Sequence, residues 1–170
     1  MEIKNNIDTF QFDSVYPEPT YSVTRGKNWV SFGTDNLLPV YLNKLIDMSA
    51  VHASILTGTI QLVTGDGFSR PEDPTLLSIY NNENTDEGFD FNSNTLNDVL
   101  PLIARDQQTY GAFALNIRWS RDRQTIADYG WVDVTSIRLD SEGNGVWVSE
   151  DWSNPKKYVP EFFHKFSTDP

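Results

Sequence analysis

Two stretches of helical periodicity follow one another in the first third of the chain. Over residues 38–46, apolar side chains recur three and four positions apart, which is the spacing of one helix face. Asp35 or Asn36 can cap the start of this helix, and Pro39 falls in its first turn, where proline is tolerated. The pattern therefore predicts a helix that runs to about Asp47.

A second helix is predicted directly after the first. Ser49 is a suitable N-cap, and Gly65 can end the helix in the left-handed conformation. The positions that recur at helical spacing between them are Val51, Ile55, Thr59, Leu62 and Val63. Ile60 widens this apolar face. We expect the face to be buried and the two helices to pack against a common surface.

An acidic segment separates this helix pair from a third helix. Residues 64–95 contain seven carboxylates and a single base, which indicates a solvated excursion with a short helix near residues 75–80. Thr95 and Asp98 then form a capping box for the third helix. Pro101 should kink this helix or delay its start.

The second half of the chain changes to the alternation that is typical of β-strands. In "YGAFALNIRW", every second residue from Phe113 to Trp119 is large and apolar. A turn near residues 121–123 would return the chain through "TIADYGWVDV" and complete a hairpin. A second hairpin is predicted from "TSIRLD" and "GVWVSE", which flank the turn residues "SEGNG". The tail after residue 150 has three prolines and no dominant period.

These elements predict an α+β fold in which a helix pair and a third helix pack on antiparallel hairpins. Residues 1–28 contain Pro17, Pro19 and Gly26 among scattered polar residues, and we interpret them as an amino-terminal arm with one short strand at residues 22–24. Residues 29–163 form the α+β domain, and residues 164–170 form a tail.

The charge of the chain limits its partners. Thirteen basic and 24 acidic side chains give a formal net charge of −11 at pH 7. Affinity for phosphate backbones comes mostly from basic residues, so we expect no tight grip on nucleic acid. The mean hydropathy of −0.46 and the lack of a long apolar run predict no membrane span. The polar, acidic amino end does not resemble a secretory signal, and we expect synthesis in the cytoplasm.

Few residues suit metal or cofactor chemistry. With no Cys and only His52 and His164, the usual zinc ligand sets cannot be assembled. The glycine-rich phosphate loops that end in Lys-Ser or Lys-Thr are also missing. The run from Asp140 to Asp151 imitates a calcium loop, but its flanks alternate like strands, which favours a hairpin turn. We therefore expect no bound metal and no cofactor.

One basic and aromatic cluster is the candidate for contact with nucleic acid or a partner protein. The string "RWSRDR" places Arg118, Arg121 and Arg123 around Trp119, and such a group can stack on bases or pair with phosphates. Asp122 in its midst and the acidic balance of the chain favour a solvated hairpin tip. A weak contact of Arg118, Trp119, Arg121 and Arg123 with nucleic acid or a partner protein stays an open alternative.

The aromatic and acidic residues leave a second class of function open. Five Trp could form platforms for sugar rings, and the excess of acids could include a catalytic pair of a glycoside hydrolase. No two acids are brought together by spacing alone. A carbohydrate-binding or glycoside-hydrolase-like domain therefore stands as the alternative.

The chain from residue 29 to residue 163 resembles a known family. The string "WVSFGTDNLLPVYLNKLIDMSAVHASILTGTIQLVTGDGF" is similar to the opening region of tailed-bacteriophage portal proteins, where an Asn-Leu-x-Pro-x-Tyr-Leu segment leads into a Ser-x-x-His-x-x-Ile helix and a Gly-x-Gly turn. The matching positions are Asn36, Leu37, Pro39, Tyr41, Leu42, Ser49, His52, Ile55, Gly65 and Gly67. The strings "YGAFALNIRW", "VDVTSIRLD" and "VWVSEDWSNPKKYVPEF" follow in the order of the strands of the portal wing.

The resemblance implies a structural protein with no catalytic residues of its own. Portal subunits form a ring of about twelve copies at one capsid vertex, and a separate terminase motor drives DNA through that ring. The implied partners are further copies of the chain, the major capsid protein, terminase and head-tail connector proteins. The resemblance also implies transient, sequence-independent contact with double-stranded DNA, no membrane contact and a location in the virion.

Within a portal, the helix pair belongs to the wing. The residues that the resemblance assigns to a structural joint there are Pro39, Tyr41, Ser49, His52, Ile55, Gly65 and Gly67. Portal proteins continue after this region with stem helices, a clip and a channel loop, so we expect this chain to be an amino-terminal portion of a longer protein. Without those parts we expect it to be monomeric or weakly associated.

Overall fold

The computed structural model describes residues 28–33, 35–82 and 95–166, in which helices come first and strands follow. The helices are α1 (Leu38–Met48), α2 (Ala50–Thr64), α3 (Pro74–Asn81) and α4 (Leu96–Tyr110). The strands are β1 (Ala114–Trp119), β2 (Ile126–Val132), β3 (Ile137–Leu139), β4 (Gly145–Val148) and β5 (Glu161–His164). A short 3-10 turn, Val134–Ser136, joins β2 to β3. The predicted α+β class is confirmed.

Several helix ends lie where the local sequence signals predicted them. The backbone N–H of His52 donates to Ser49 Oγ at 3.3 Å, so Ser49 caps α2. Gly65, at φ +51°, ends the same helix. The backbone N–H of Thr95 donates to Asp98 Oδ2 at 2.8 Å, which completes the predicted capping box of α4. These ends depend on residues within one turn of each other, which is why the sequence identifies them.

The predicted cap of α1 was wrong, and of the two alternatives predicted for Pro101 the delayed helix start does not occur. The N-cap of α1 is Leu37, which makes no capping hydrogen bond through its side chain. Asn36 instead adopts φ +65°, and its side chain is used in a tertiary contact described below. Pro101 does not delay α4, because the helix starts at Leu96 and continues through Pro101.

The strands form two separate antiparallel sheets. β1 pairs with β2, with a register irregularity between Arg118 and Trp119, and the second sheet has the order β3-β4-β5. Both predicted hairpins are confirmed. The pairing of β5 with β4 was not predicted, and it explains Gly145, since a Cβ there would lie 2.1 Å from the carbonyl oxygen of Phe163.

The core of the described residues contains nearly as many polar as apolar buried side chains, and Pro39 is buried in addition to the apolar residues named next. Its apolar members are Ile46, Val99, Ala104, Tyr129, Val134, Ile137 and Trp152. Its polar members are Ser31, Asn36, Asn82, Asp106, Asp128, Arg138 and Ser149. Buried polar groups need hydrogen-bond partners, so these side chains hold elements in defined relative positions. Two of them link helices to β2: Asn82 bonds both backbone groups of Tyr129, and Asp106 accepts from Trp131 Nε1 at 2.7 Å.

Parts of the predicted organisation fall outside the described residues. These are residues 1–27 of the arm, with the strand expected at residues 22–24, residue 34, residues 83–94 of the acidic segment, and residues 167–170 of the tail. Among the helices that are described, none has the length and apolar character needed to cross a membrane.

Candidate functional site

The start of the helix pair is fixed to the second sheet by Arg138 of β3. The guanidinium donates from Nε to Asn36 Oδ1 at 2.6 Å and from Nη2 to the Asn36 carbonyl oxygen. Nη1 donates to the carbonyl oxygens of Thr135 and Ile137, at 3.1 and 2.5 Å. Asn36 Oδ1 also accepts from the backbone N–H of Phe32 at 2.9 Å. One buried side chain thus links the loop before α1 to the strand region.

Arg138 is surrounded by neutral oxygens and aromatic rings. Its side chain is 1% exposed, and its Cζ lies 4.8 Å from the ring centroid of Trp152 and 5.9 Å from that of Phe32. Burial lowers its pKa from 12.5 to about 10, so it stays charged at neutral pH. The residue was not among those singled out in the sequence. Its signal was weak: a basic residue within the alternation of "TSIRLD".

The far end of the helix pair is fixed by the glycine turn after α2. Gly67, at φ +76°, lies against α4, where a Cβ would come within 2.5 Å of Asn97 Oδ1. Asn97 accepts from the backbone N–H of Phe68 at 2.8 Å, and its amide donates to the Tyr80 hydroxyl at 2.8 Å. The turn therefore requires glycine for its backbone conformation and for space.

The face of α2 that was predicted to be buried is mostly exposed: Thr59 and Ile60 are half-buried, but for the other four residues the prediction was wrong. Val51 is 72% exposed, Ile55 62%, Leu62 86% and Val63 61%. The half-buried positions that face α4 and α1 include a set that shares only Ile60 with the predicted face and is spaced for the opposite side of the helix from Val51, Ile55 and Leu62. That set is Ala53, Leu56, Ile60 and Thr64. Because both sides of α2 are apolar, periodicity could not distinguish the packed side from the exposed one.

We call Val51, Ile55 and Leu62 the α2 ridge. It borders an apolar groove of about 620 Å³ between α1, α2 and α4, which Ile55 and His52 help to line. The whole of α2 contains no Asp, Glu, Lys or Arg. The ridge and the groove together form an uncharged surface on an otherwise acidic chain.

The other residues assigned to the joint differ in exposure. Pro39 is fully buried at the start of α1, and Tyr41 is half-buried. Ser49 and His52 are exposed at the junction of α1 and α2, and only their capping hydrogen bond links them. The structure therefore places the firm contacts of this region at its two ends, and the middle is open to solvent.

The basic cluster is divided by the fold. Arg118 forms an ion pair with Asp128, which is 2% exposed. The Trp119 ring stacks on Phe166 with centroids 5.4 Å apart. Arg121 and Arg123 remain exposed at the β1–β2 turn, on either side of Asp122. Hydrogen bonds from Ser120 Oγ and the backbone N–H of Gln124 lower the pKa of Asp122. The exposed tip therefore carries the negative charge of this carboxylate between two positively charged guanidinium groups.

The run that imitates a calcium loop begins with the turn between β3 and β4, residues 140–144, as predicted, and its remainder contains β4. Asp140 accepts hydrogen bonds from Trp147 Nε1 at 3.0 Å and from the backbone N–H groups of Glu142 and Asn144, and the bond from Trp147 is the main cause of its lowered pKa. The left-handed residue of the turn is Gly143, at φ +77°. In the described part of the chain, no group of three or more His, Asp or Glu side chains is arranged to hold a metal ion.

A second apolar concavity lies between the two sheets. This inter-sheet cleft has a volume of about 360 Å³, and its main lining side chains are Leu115, Ile117, Ile137, Val146, Val148 and Phe163. Phe163 and Phe166 are each 41% exposed where they line it. Asn116 and His164 supply the polar part of the lining, which contains no Asp, Glu, Lys or Arg.

No protein-family model matches this chain, and no curated protein matches it.

Proposed function

We propose that this chain is the wing region of a subunit of a tailed-bacteriophage portal ring. In this proposal the ring occupies one capsid vertex, forms the conduit for DNA packaging and ejection, and provides the docking platform for terminase and for head-tail connector proteins. The observation that carries the proposal is α2, which is apolar on two opposite sides although the residues that the structure describes pack against only one of them.

The exposed side of α2 indicates that another protein surface covers it. Helices that are apolar all round normally occur where they are covered on every side, whereas a surface helix carries polar and charged residues outward. The α2 ridge projects three aliphatic side chains into water, with exposed fractions between 62% and 86%. Large exposed apolar patches mark interaction sites. A subunit of a multi-copy assembly has such a surface because its neighbours bury it.

The fixed ends of the helix pair also suit a structural subunit. Arg138 fixes the chain just before α1, and Asn97 fixes the chain just after α2. A contact made through the α2 ridge is therefore connected to the sheet at one end and to α4 at the other. Such connections let a subunit hold its neighbours in a constant orientation, which a closed ring requires.

The charge supports a conduit that does not retain DNA. With a net charge of −11, the chain repels phosphate over most of its surface, and tight binding would need a basic groove. The exposed Arg121 and Arg123 allow a transient, sequence-independent contact with double-stranded DNA. The proposed location is the portal vertex of the virion, after synthesis in the host cytoplasm.

Light scattering on two lengths of the protein tests the proposal. We expect residues 1–170 to be monomeric or weakly associated and the complete gene product to form particles of about twelve subunits, because a closed ring needs extensive heterologous contacts. A complete product that stays monomeric at high concentration would refute the ring.

Carbohydrate binding is the second candidate, and one recess favours it. A depression of about 330 Å³ next to the β3–β4 turn is lined by Trp147 and Phe162 together with Asp140, Glu142 and Asn144. Aromatic rings beside carboxylate and amide groups suit a sugar. However, the Asp140 carboxylate already accepts two hydrogen bonds from its own turn and one from Trp147 of β4. Binding on a glycan array that Trp147→Ala abolishes would favour this candidate over the ring.

A further inference from the structure

We propose that the α2 ridge of one copy of this chain binds the inter-sheet cleft of the next copy. The inference rests on the proposed assembly function and deepens it, because it names the two surfaces that meet. The occupant of each surface is thus a second copy of the same chain.

The charge distribution favours this pair of surfaces. Two copies that each carry a net charge of −11 repel each other across most possible contacts. Neither α2 nor the lining of the cleft contains an Asp, Glu, Lys or Arg side chain, and each contains one His. Joining these surfaces brings no carboxylate directly opposite another carboxylate, which would be costly in a contact between copies.

The shapes of the two surfaces are complementary. The ridge is convex, with Leu62 86% exposed and Val51 72% exposed. The cleft is concave, has a volume of about 360 Å³ and is lined mainly by aliphatic and phenylalanine side chains. Docking the ridge in the cleft removes apolar groups of both copies from water, which is the main driving force of association.

The ridge and the cleft lie on different elements, and this determines the symmetry of the contact. α2 packs on α4 and α1, whereas the cleft is formed mainly by β1, β3, β4 and β5. Each copy can therefore offer its ridge to one neighbour and its cleft to another. Such a heterologous contact repeats from copy to copy and closes into a ring when the rotation per copy divides a full turn. A ridge that paired with another ridge would give only a two-fold dimer.

Disulfide trapping tests the contact without background cross-links from native thiols, because the chain contains no Cys. Leu62→Cys places a thiol on the ridge, and Phe163→Cys places one at the cleft. The two purified variants are mixed under mild oxidation, and cross-linked dimers are followed on non-reducing gels. Gln61→Cys is the matched control, because Gln61 is the exposed neighbour of Leu62 on the same helix but points away from the ridge.

We expect the mixture of Leu62→Cys and Phe163→Cys to cross-link about tenfold faster than the mixture with Gln61→Cys, because a docked contact raises the effective concentration of the paired thiols. Each variant alone should cross-link slowly. If Phe163→Cys does not fold, as judged by thermal unfolding, Phe166→Cys provides a second thiol at the cleft.

Three results would overturn the inference. Rapid homodimers of Leu62→Cys alone would indicate pairing of two ridges or of the ridge with the adjacent groove. A Leu62→Cys thiol that a soluble reagent cannot modify in protein dilute enough to be monomeric would mean that the chain covers its own ridge. Equal rates for Leu62→Cys and Gln61→Cys would mean that no docking occurs. If the ridge and the cleft do not cross-link but the complete product still forms rings, the portal proposal stands and only the inference fails. If the ridge and the cleft cross-link but the complete product forms no rings, only the portal proposal is refuted.

Discussion

Replacing Asp106 by Asn should make the protein more stable at neutral pH. Asp106 lies on α4 with 2% of its surface exposed, and its Oδ2 accepts a hydrogen bond from Trp131 Nε1 at 2.7 Å. Burial raises its pKa from 3.8 to about 6; the hydrogen bond from Trp131 opposes this rise, and the charge of Asp133 adds to it. The folded protein therefore binds a proton at this carboxyl more tightly than the unfolded chain does.

The sign and size of the effect follow from this pKa difference. The stabilisation from protonated Asp106 is fully present below a pH of about 4 and is lost as the pH rises through about 6. The interval from 3.8 to about 6, at about 1.4 kcal/mol per pH unit, corresponds to roughly 3 kcal/mol of unfolding free energy. Asp122, Asp140 and Asp151 have lowered pKa values and act in the opposite direction, so they mask the effect in the wild type alone.

Urea unfolding of the wild type and Asp106→Asn between pH 4 and pH 8 isolates this group. The Asn amide keeps an oxygen for Trp131 but does not ionise. We expect the stability of the variant relative to the wild type to rise by roughly 3 kcal/mol from the acidic to the neutral end. Asp106→Ala is the control, because it removes the acceptor and should cost stability even at acidic pH. A difference between Asn variant and wild type that does not change with pH would refute the reasoning.

Three further predictions concern stability and are checked by urea unfolding. Ile55→Ala should cost less than about 1 kcal/mol because Ile55 is 62% exposed, whereas Val99→Ala, at a side chain 1% exposed, should cost about 2 kcal/mol; equal costs would contradict the exposure of the ridge. Arg138→Met should cost about 3 kcal/mol because it removes the guanidinium donors from the carbonyl oxygen of Asn36 and from Asn36 Oδ1, which then keeps only the N–H of Phe32, and a neutral result would mean that water replaces the guanidinium. Gly67→Ala should cost more than Gly111→Ala, which has a similar positive φ but where a Cβ would meet nothing within 4 Å, and the reverse order would argue against contact with Asn97.

The helix ends and the hairpins could be predicted because they depend on neighbouring residues. The Ser49 cap, the left-handed Gly65 and the box of Thr95 with Asp98 each act within a few positions, and alternation within short strands identified both hairpins. Even so, the cap of α1 was missed, since the side chain of Asn36 bonds a residue 102 positions away.

The exposed face of α2 could not be predicted from periodicity. Its two sides are both apolar, and which side packs depends on where α1 and α4 lie in the fold. The sequence did contain a different signal, namely fifteen consecutive helical residues without one charge. This signal identifies a helix that needs cover on both sides but does not reveal which side its own chain covers.

The role of Arg138 and the strand β5 depended on contacts between distant parts of the chain. A basic residue in a short strand is ordinarily on the solvent face, so nothing local indicated that Arg138 is 1% exposed. β5 has four residues and follows Pro160, and it becomes a strand only through its pairing with β4. Both cases show tertiary contacts deciding what local propensity leaves open.

Electron microscopy of the complete gene product tests the central claim most directly. The account predicts rings of about twelve subunits around a central hole, with α2 of each subunit covered by the strands of its neighbour. Single-particle reconstruction at a resolution that separates helices would place α2 without any labelling. A product without ring particles, or a ring in which the α2 ridge faces solvent in every subunit, would contradict the account.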